Sequence, residues 1–358
     1  MTELTNEKYN FLTKFKQIPF STRAVSGLYI IVLIIGLFSG FTLAALLSAG
    51  LHFFGVWAIF TLANVPSIQS GTGPNFALPI GIVSGLLSMV LVLAAGFTGM
   101  GFIVISATLA IVFGCITGYL YGKLMNAVKG SEMAIAPYTG FAITALFGLV
   151  WISIPIRHPN MVFILGDGLR HNIGLNYFDA RFILAEFLYF EIFGLGVRTG
   201  ELIIVVIACV LMWLFFRTKT GVAISSVGRN PMFAKAAGIN IDRSRVIANM
   251  MSTAIAAFGV IIYAQGFGFV QLYDFPFFMA FPAVASIMVG GASGQRAKVA
   301  NVVVGTFLFQ GLIAISLPVF TRALEGAGAV DVVNYIRMVI QNGVILYALA
   351  RMSKGGSK

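Results

Sequence analysis

The stretch Arg217–Arg245, RTKTGVAISSVGRNPMFAKAAGINIDRSR, lies between two long apolar runs and decides how the whole chain is read. It carries Arg217, Lys219, Arg229, Lys235, Arg243 and Arg245 against a single acid, Asp242. Apolar runs on both sides place it between membrane spans, and its basic residues assign it to the cytoplasmic face, where Lys and Arg accumulate. Within it, Pro231–Gly238 is predicted as one short helix: Asn230 supplies a cap, Pro231 suits the first turn, and Gly238 ends it. A structured helix on such a loop, rather than a loose tether, points to a docking point for a soluble partner.

Composition agrees with this. The chain has 59% hydrophobic and 10% charged residues, whereas a soluble domain carries about 25% charged residues. Apolar stretches long enough to cross a bilayer recur from end to end, which defines a polytopic helical membrane protein. A net charge of +11 would point to nucleic acid in a soluble protein. Here the basic residues gather at the ends of apolar runs, so topology explains them and no nucleic-acid partner is expected. The 40 glycines fit close helix packing in lipid. Cys115 and Cys209 lie inside apolar segments, where neither a disulfide nor a metal site is expected. The polar, basic segment Met1–Arg23 lacks a cleavage pattern and reads as a cytoplasmic leader (residues 1–24) into a retained helix.

Spans are predicted near Val25–Leu47, Phe53–Val65, Phe76–Ala95, Gly101–Tyr121 and Ala136–Ile156 in a first half, residues 25–156. A second half, residues 202–350, holds Leu202–Phe216, Val246–Phe269, Phe275–Val289, Val299–Leu317 and Val332–Leu349, with the basic loop at 217–245. The second and eighth runs are shorter than the ~20 residues of a straight crossing, so they borrow flanking residues or are broken helices inside the bundle. With the N-terminus inside, Lys123, Lys129, the basic loop, Arg296, Lys298 and the 351–358 tail (Arg351, Lys354, Lys358) all fall on the cytoplasmic side. The segment 157–201 falls outside, its arginines balanced by Asp167, Asp179, Glu186, Glu191 and Glu201. In it, Phe182–Phe193 is predicted as a helix lying against the membrane surface, its apolar face packed and its polar face open to a partner.

The two halves share a layout. Each holds a short run leading into a glycine-rich break, Phe53–Val65 into SIQSGTGPNF and Phe275–Val289 into GGASGQ. Close packing explains any single glycine. The pair of breaks points to an inverted repeat with a substrate path at its centre.

Catalytic chemistry is missing from the sequence. There is no G-x-x-x-x-G-K-[ST] loop, no H-E-x-x-H pair and no G-x-S-x-G elbow. His52, His158 and His171 are isolated in or near outer loops and read as surface residues rather than ligands. Within or beside the spans the clearest ionisable groups are Asp274, read as a solvated or capping acid, and Arg337, read as pairing with carbonyls or lining a cavity. Neither makes a proton relay, so energy for transport must come from elsewhere.

The loop TKTGVAISSVGRNPMFAKAAGI resembles the cytoplasmic loop of permease subunits of bacterial ABC importers in the ribose, galactose, autoinducer and branched-chain amino-acid group. Thr220, Gly221, Val227, Gly228, Asn230, Pro231, Ala234, Ala237, Gly238 and Ile239 carry the likeness. MVGGASGQRAKVANVVVGTFLFQG is similar to that family's glycine-rich segment through Gly290, Gly291, Gly305, Thr306 and Gly311, and NYIRMVIQNGVILYALA resembles its last span. Two departures bear on the substrate: SIQSGTGPNF lacks the acid of an Asp-Leu-Ser segment usual in sugar permeases of this group, and Gln295, Arg296 and Lys298 stand where glycine is usual.

The resemblance implies an all-α polytopic membrane protein of about ten transmembrane helices with an inverted repeat, like a type II ABC importer permease, in the bacterial cytoplasmic (inner) membrane. It also implies two permeases, a second copy or a paralogue, around a central path. Cytoplasmic ATPase subunits would bind ATP and Mg and grip the loop helix, and an extracytoplasmic substrate-binding protein would deliver the solute. No cofactor or metal is expected in this chain. Coupling contacts are assigned to Asn230, Pro231, Met232, Phe233, Lys235 and Gly238, with Phe233 or Met232 as the apolar anchor. Path candidates are Gln69, Ser70, Thr72, Asn75 and Phe76 in the first half, and Gln265, Gln271, Tyr273 and Gln310 in the second. Neutral hydrogen-bonding groups beside aromatics suit a polar uncharged solute such as a sugar or nucleoside. A self-sufficient secondary transporter is the alternative, marked by a titratable group at mid-membrane. A membrane enzyme or assembly factor using the long outer loop is a third.

Overall fold

A computed structural model describes residues 19–156, 158–163, 168–323 and 330–355. Most of the leader, Asp167 and the last residues of the tail lie outside the described residues. The first half comprises α1 (Phe20–Phe38), α2 (Leu43–Gln69), α3 (Leu78–Ala94), α4 (Gly99–Ala127) and α5 (Glu132–Ser153). A loop segment follows with β1 (Asn172–Gly174), α6 (Ile183–Glu186), β2 (Phe190–Ile192) and β3 (Leu195–Val197). The second half comprises α7 (Thr199–Phe215), α8 (Lys219–Arg229), α9 (Pro231–Ala236), α10 (Ile241–Phe267), β4 (Phe269–Gln271), α11 (Phe275–Val289), α12 (Val299–Ala323) and α13 (Val330–Gly355).

Each predicted span has a helix at its centre, although not all of these helices are long. Among the described residues, α1, α2, α4, α5, α10 and α12 are each long and apolar enough to cross a bilayer, and α7 with α8 reaches that length and apolarity only as a pair bent by 77°. The chain is therefore a multi-pass membrane protein.

Two boundaries move. Leu43–Leu47 belongs to the second helix, not the first: Gly40 turns the chain at φ 88°, and the Thr42 side chain caps α2 by accepting the Ala45 N–H at 3.2 Å. With that start, and with Pro66 tolerated near its end, α2 runs 27 residues, so the second span is not short. The short span helices are α3, α7 and α11, of 17, 17 and 15 residues. The predicted surface helix Phe182–Phe193 is also corrected. Only Ile183–Glu186 is helical, and β2 and β3 form an antiparallel hairpin turning at Gly194.

Inverted repetition is visible in length and packing. Helices α2–α5 have 27, 17, 29 and 22 residues, and α10–α13 have 27, 15, 25 and 26. α10 packs on α4 and α3 as α2 packs on α12 and α11. This order equates the break 70–77 with 268–274, not with the glycine-rich 290–298 that shares its spelling. α2 and α10 cross at the centre. Gly114, Gly118 and Gly122 of α4 face α10 so closely that a Cβ on each would stand 2.7, 2.8 and 2.9 Å from the Cα of Ala254, Met250 and Val246. That stripe is the small-residue packing expected where lipid supplies no hydrophobic drive.

Candidate functional site

The basic loop folds as a helical hairpin. Thr218 caps α8 by accepting the Gly221 N–H at 3.2 Å. At Asn230 the backbone becomes extended, and its Oδ1 accepts the Phe233 N–H at 3.0 Å, capping α9 with Pro231 in the first turn. Gly238, at φ 75°, ends the turn, and Asn240 caps α10 by accepting the Arg243 N–H at 2.9 Å. The short helix is thus where the cap, proline and glycine signals put it, covering Pro231–Ala236. Ala234 faces inward, whereas Met232 and Phe233 are 79% and 66% exposed beside the exposed Lys235. The preceding helix, α8, was not predicted; Thr218 with Ile224 and Val227 one turn apart was its signal.

This hairpin is fastened to both halves of the bundle through Gln69. Its Oε1 accepts the Ser225 hydroxyl of α8 at 2.8 Å, and its Nε2 donates to the Ala297 carbonyl of the 290–298 loop at 2.6 Å. Beside it, Gly228 of α8 lies backbone to backbone against Gly71, whose Cβ would stand 3.1 Å from the Gly228 Cα. Glu132 at the start of α5 pairs with the buried Arg245 of α10, and Lys129 pairs with Asp242. The α8–α9 hairpin and the 70–77 and 290–298 breaks therefore share one end of the molecule.

The other first-half path candidates knit that end together. Ser67, Ser70 and Thr72 exchange hydrogen bonds of 2.8 to 3.0 Å, and Asn75 Nδ2 donates to the Ser252 hydroxyl of α10 at 2.8 Å. Ser70, Thr72 and Asn75 are buried and partnered. Gln265, Gln271 and Tyr273 lie at the opposite end. Gln265 Nε2 donates to the Ala180 carbonyl at 2.7 Å, Gln271 sits in β4 opposite Asn172 of β1, and the Tyr273 hydroxyl donates to the Leu169 carbonyl at 2.6 Å. Burial raises the Tyr273 phenol further above its ordinary range, so it remains a donor. Gln310 is buried in α12 and donates to the Ser286 hydroxyl at 3.2 Å. The structure thus divides the predicted path residues between two ends rather than gathering them.

His52 is not the isolated surface residue expected. Its Nδ1 meets Glu201 Oε2 at 3.0 Å, and Arg198 Nη1 reaches its Nε2 at 3.2 Å and the Gly266 carbonyl at 3.3 Å. This geometry suits the tautomer that donates from Nδ1 to the carboxylate and accepts at Nε2. Glu201 is 0% exposed in the first turn of α7 and so is not an acid of the outer loop. Asp274 is exposed, as read, without capping α11 through its side chain.

A cleft of about 580 Å³ opens between α11 and α13, lined by Phe277, Phe278, Phe281, Gln341 and Asn342 among others. Phe141 of α5 meets Phe277 edge-on at 5.6 Å, Phe277 meets Phe281 at 5.7 Å, and Phe281 meets Phe76 at 5.9 Å. Of the predicted path residues, Phe76 alone touches this array. Gln341 and Asn342 were missed, although adjacent amides in an apolar span were a legible signal. Rings beside a few amides form the kind of surface that binds small polar solutes.

The fold and this pair of features define a membrane permease, and comparison with known proteins gives the family. Residues 46–349 match the family described as branched-chain amino acid transport system / permease component, and the chain belongs to it. It is 28% identical over 147 residues to the galactose/methyl galactoside import permease of Haemophilus influenzae, covering 40% of each chain. It is 25% identical over 211 residues to a nucleoside ABC transporter permease of Lactococcus lactis, covering 56% of this chain and 64% of that one. The match to an autoinducer 2 import permease of Yersinia pseudotuberculosis is 24% over 262 residues, covering 70% and 68%. The chain thus spans less than two thirds of the length of the first two relatives. A solved ABC transporter described as of metal-chelate type, inward-facing, is similar at a TM-score of 0.48 and 15% identity, over 92% of this chain and 99% of that one. The family is a transport component and not a catalytic one.

Proposed function

We propose that this chain is the permease subunit of an ATP-driven importer for a small polar solute, and that its α8–α9 hairpin receives a separate ATPase. The observation that carries the reading is the joint placement of Phe233 and Gln69. Exposed Met232 and Phe233 on a capped, basic helix form an anchor for a groove on a soluble partner. Gln69 then links the adjoining helix α8 to the end of α2 and to the 290–298 loop, so a push on the hairpin reaches both halves. On this reading the basic end is cytoplasmic, in a bacterial inner membrane with both termini inside. ATP and Mg belong to the partner.

A second permease, identical or paralogous, would face the cleft between α11 and α13 and complete the path, with an extracytoplasmic binding protein supplying solute. The ring–amide lining and the volume of the cleft favour a sugar or nucleoside, the solute types named for two of the relatives.

The test is purification of the chain from its native membrane in mild detergent, with identification of what accompanies it. Recovery of a P-loop ATPase, lost on Phe233→Ala together with Lys235→Glu, is expected. Recovery of the chain alone, transporting in liposomes without ATP, would replace this reading with a secondary carrier.

A further inference from the structure

A second recess lies on the bundle's membrane flank, away from the cleft. It is a groove of about 710 Å³ bounded by α4, α7 and α10 over a floor from α2. Ile111 and Cys115 of α4, Leu211 and Phe215 of α7, and Ile247 and Met251 of α10 represent its lining, which is apolar throughout. The groove exists because α4 is drawn onto α10 by its glycine stripe, whereas α7 leans on α2 and α12.

Both long walls continue into a cation at the same end. On α4 the spacing of Ile111 and Cys115 leads to Tyr119 and then Lys123, whose Nζ sits 4.6 Å from the Tyr119 ring centre. On α10 the spacing of Met251 and Ile247 leads to Arg243. Lys123 and Arg243 are exposed, and neither is in an ion pair among the described residues. The described acids at this end, Glu132 and Asp242, are engaged by Arg245 and Lys129. The mouth of the groove is therefore left with positive charge, at the basic end of the bundle.

We propose that this groove is a binding site for one anionic phospholipid, an acyl chain lying between α4, α7 and α10 and the phosphate held by Lys123 and Arg243. Two features favour lipid over a helix of another subunit. Large Ile, Leu, Met and Phe side chains make up most of the groove lining, whereas helix pairs in membranes meet through small residues. A basic rim at the interface attracts anionic headgroups. The proposal does not depend on the importer reading.

The full chain would be reconstituted in nanodiscs of phosphatidylcholine containing one-tenth phosphatidylglycerol, the latter carrying a photoreactive group on its acyl chain. Cross-linked peptides are then mapped by mass spectrometry. Labelling concentrated on α7 and α10 around Leu211 and Met251 is expected, at least several-fold above that from a photoreactive phosphatidylcholine. Lys123→Gln with Arg243→Gln should bring the two probes to parity. Ala208→Trp, which fills the groove without touching its mouth, should remove groove labelling by both, and circular dichroism checks that each variant is folded. Equal labelling by both probes in the unmodified chain, or labelling spread over all lipid-facing helices, would overturn the proposal. So would cross-links between groove residues and a second protein chain in place of lipid.

Discussion

Gly228 of α8 lies so close to Gln69 at the end of α2 that a Cβ on Gly228 would overlap the Gln69 carbonyl. The hairpin that presents Phe233 is thus pressed onto the backbone of the central bundle. Gly228→Ala forces these backbones apart, a misfit of roughly 1–3 kcal/mol. It should lower both thermal stability and solute uptake. Gly148→Ala, inside α5 where a Cβ meets nothing within 4 Å, is the matched control and should lower neither, with stability unchanged or raised by about 0.5–1 kcal/mol.

Gln69 holds Ser225 and Ala297 with one carboxamide. Gln69→Ala should leave the chain folded and assembled with its ATPase while reducing uptake per ATP hydrolysed. Gln69→Glu keeps the acceptor for Ser225 but loses the donor to Ala297, so it should fall between the two. Parallel measurement of uptake and ATP turnover in proteoliposomes separates these outcomes from simple instability.

The cap on α9 is a local element with a known cost. Asn230→Ala removes the acceptor for the Phe233 N–H and should destabilise the short helix by about 1 kcal/mol. Asn230→Asp should restore it. Limited proteolysis between Arg229 and Gly238 reports the difference, with faster cleavage for the alanine variant.

Buried Glu201 and half-buried His52 form a pair at the other end, between α2 and α7. Glu201→Ala removes the acceptor of the His52 Nδ1–H and should cost roughly 1–3 kcal/mol, read as a lower unfolding temperature in detergent. His52→Ala leaves the buried Glu201 carboxylate without its hydrogen-bond donor and should also destabilise. The double variant should lose less than the sum of the two singles.

The cleft makes a separate prediction about solute handling. Phe278→Ala and Asn342→Leu alter its lining without touching the hairpin, so both should raise the solute concentration for half-maximal uptake while leaving basal ATP hydrolysis unchanged. An unaltered concentration dependence for both variants would remove the cleft from the path.

Much of this architecture was legible because it is written in local chemistry. Apolar length marked each long helix, and Asn230, Pro231 and Gly238 marked α9, since caps and turn residues act within a few positions of themselves. The boundary between α1 and α2 was hidden because Ser39, Gly40 and Thr42 interrupt an otherwise apolar run too briefly to register. The role of Gln69 could not be read, because its partners Ser225 and Ala297 are far along the chain and become neighbours only when the two halves pack. The same holds for His52 with Glu201. The breaks 70–77 and 290–298 share a glycine-rich spelling but not a place in the repeat, because helix order and not composition sets equivalence.

The most direct test of the account is ATP hydrolysis by the reconstituted complex, with and without solute delivery, for the unmodified chain and for Phe233→Ala. The account predicts that solute stimulates hydrolysis in the first and that stimulation and uptake are lost together in the second, with the permease still folded. Full stimulation and uptake by Phe233→Ala, repeated with Met232→Ala added, would contradict the assignment of α9 as the receiver of the ATPase.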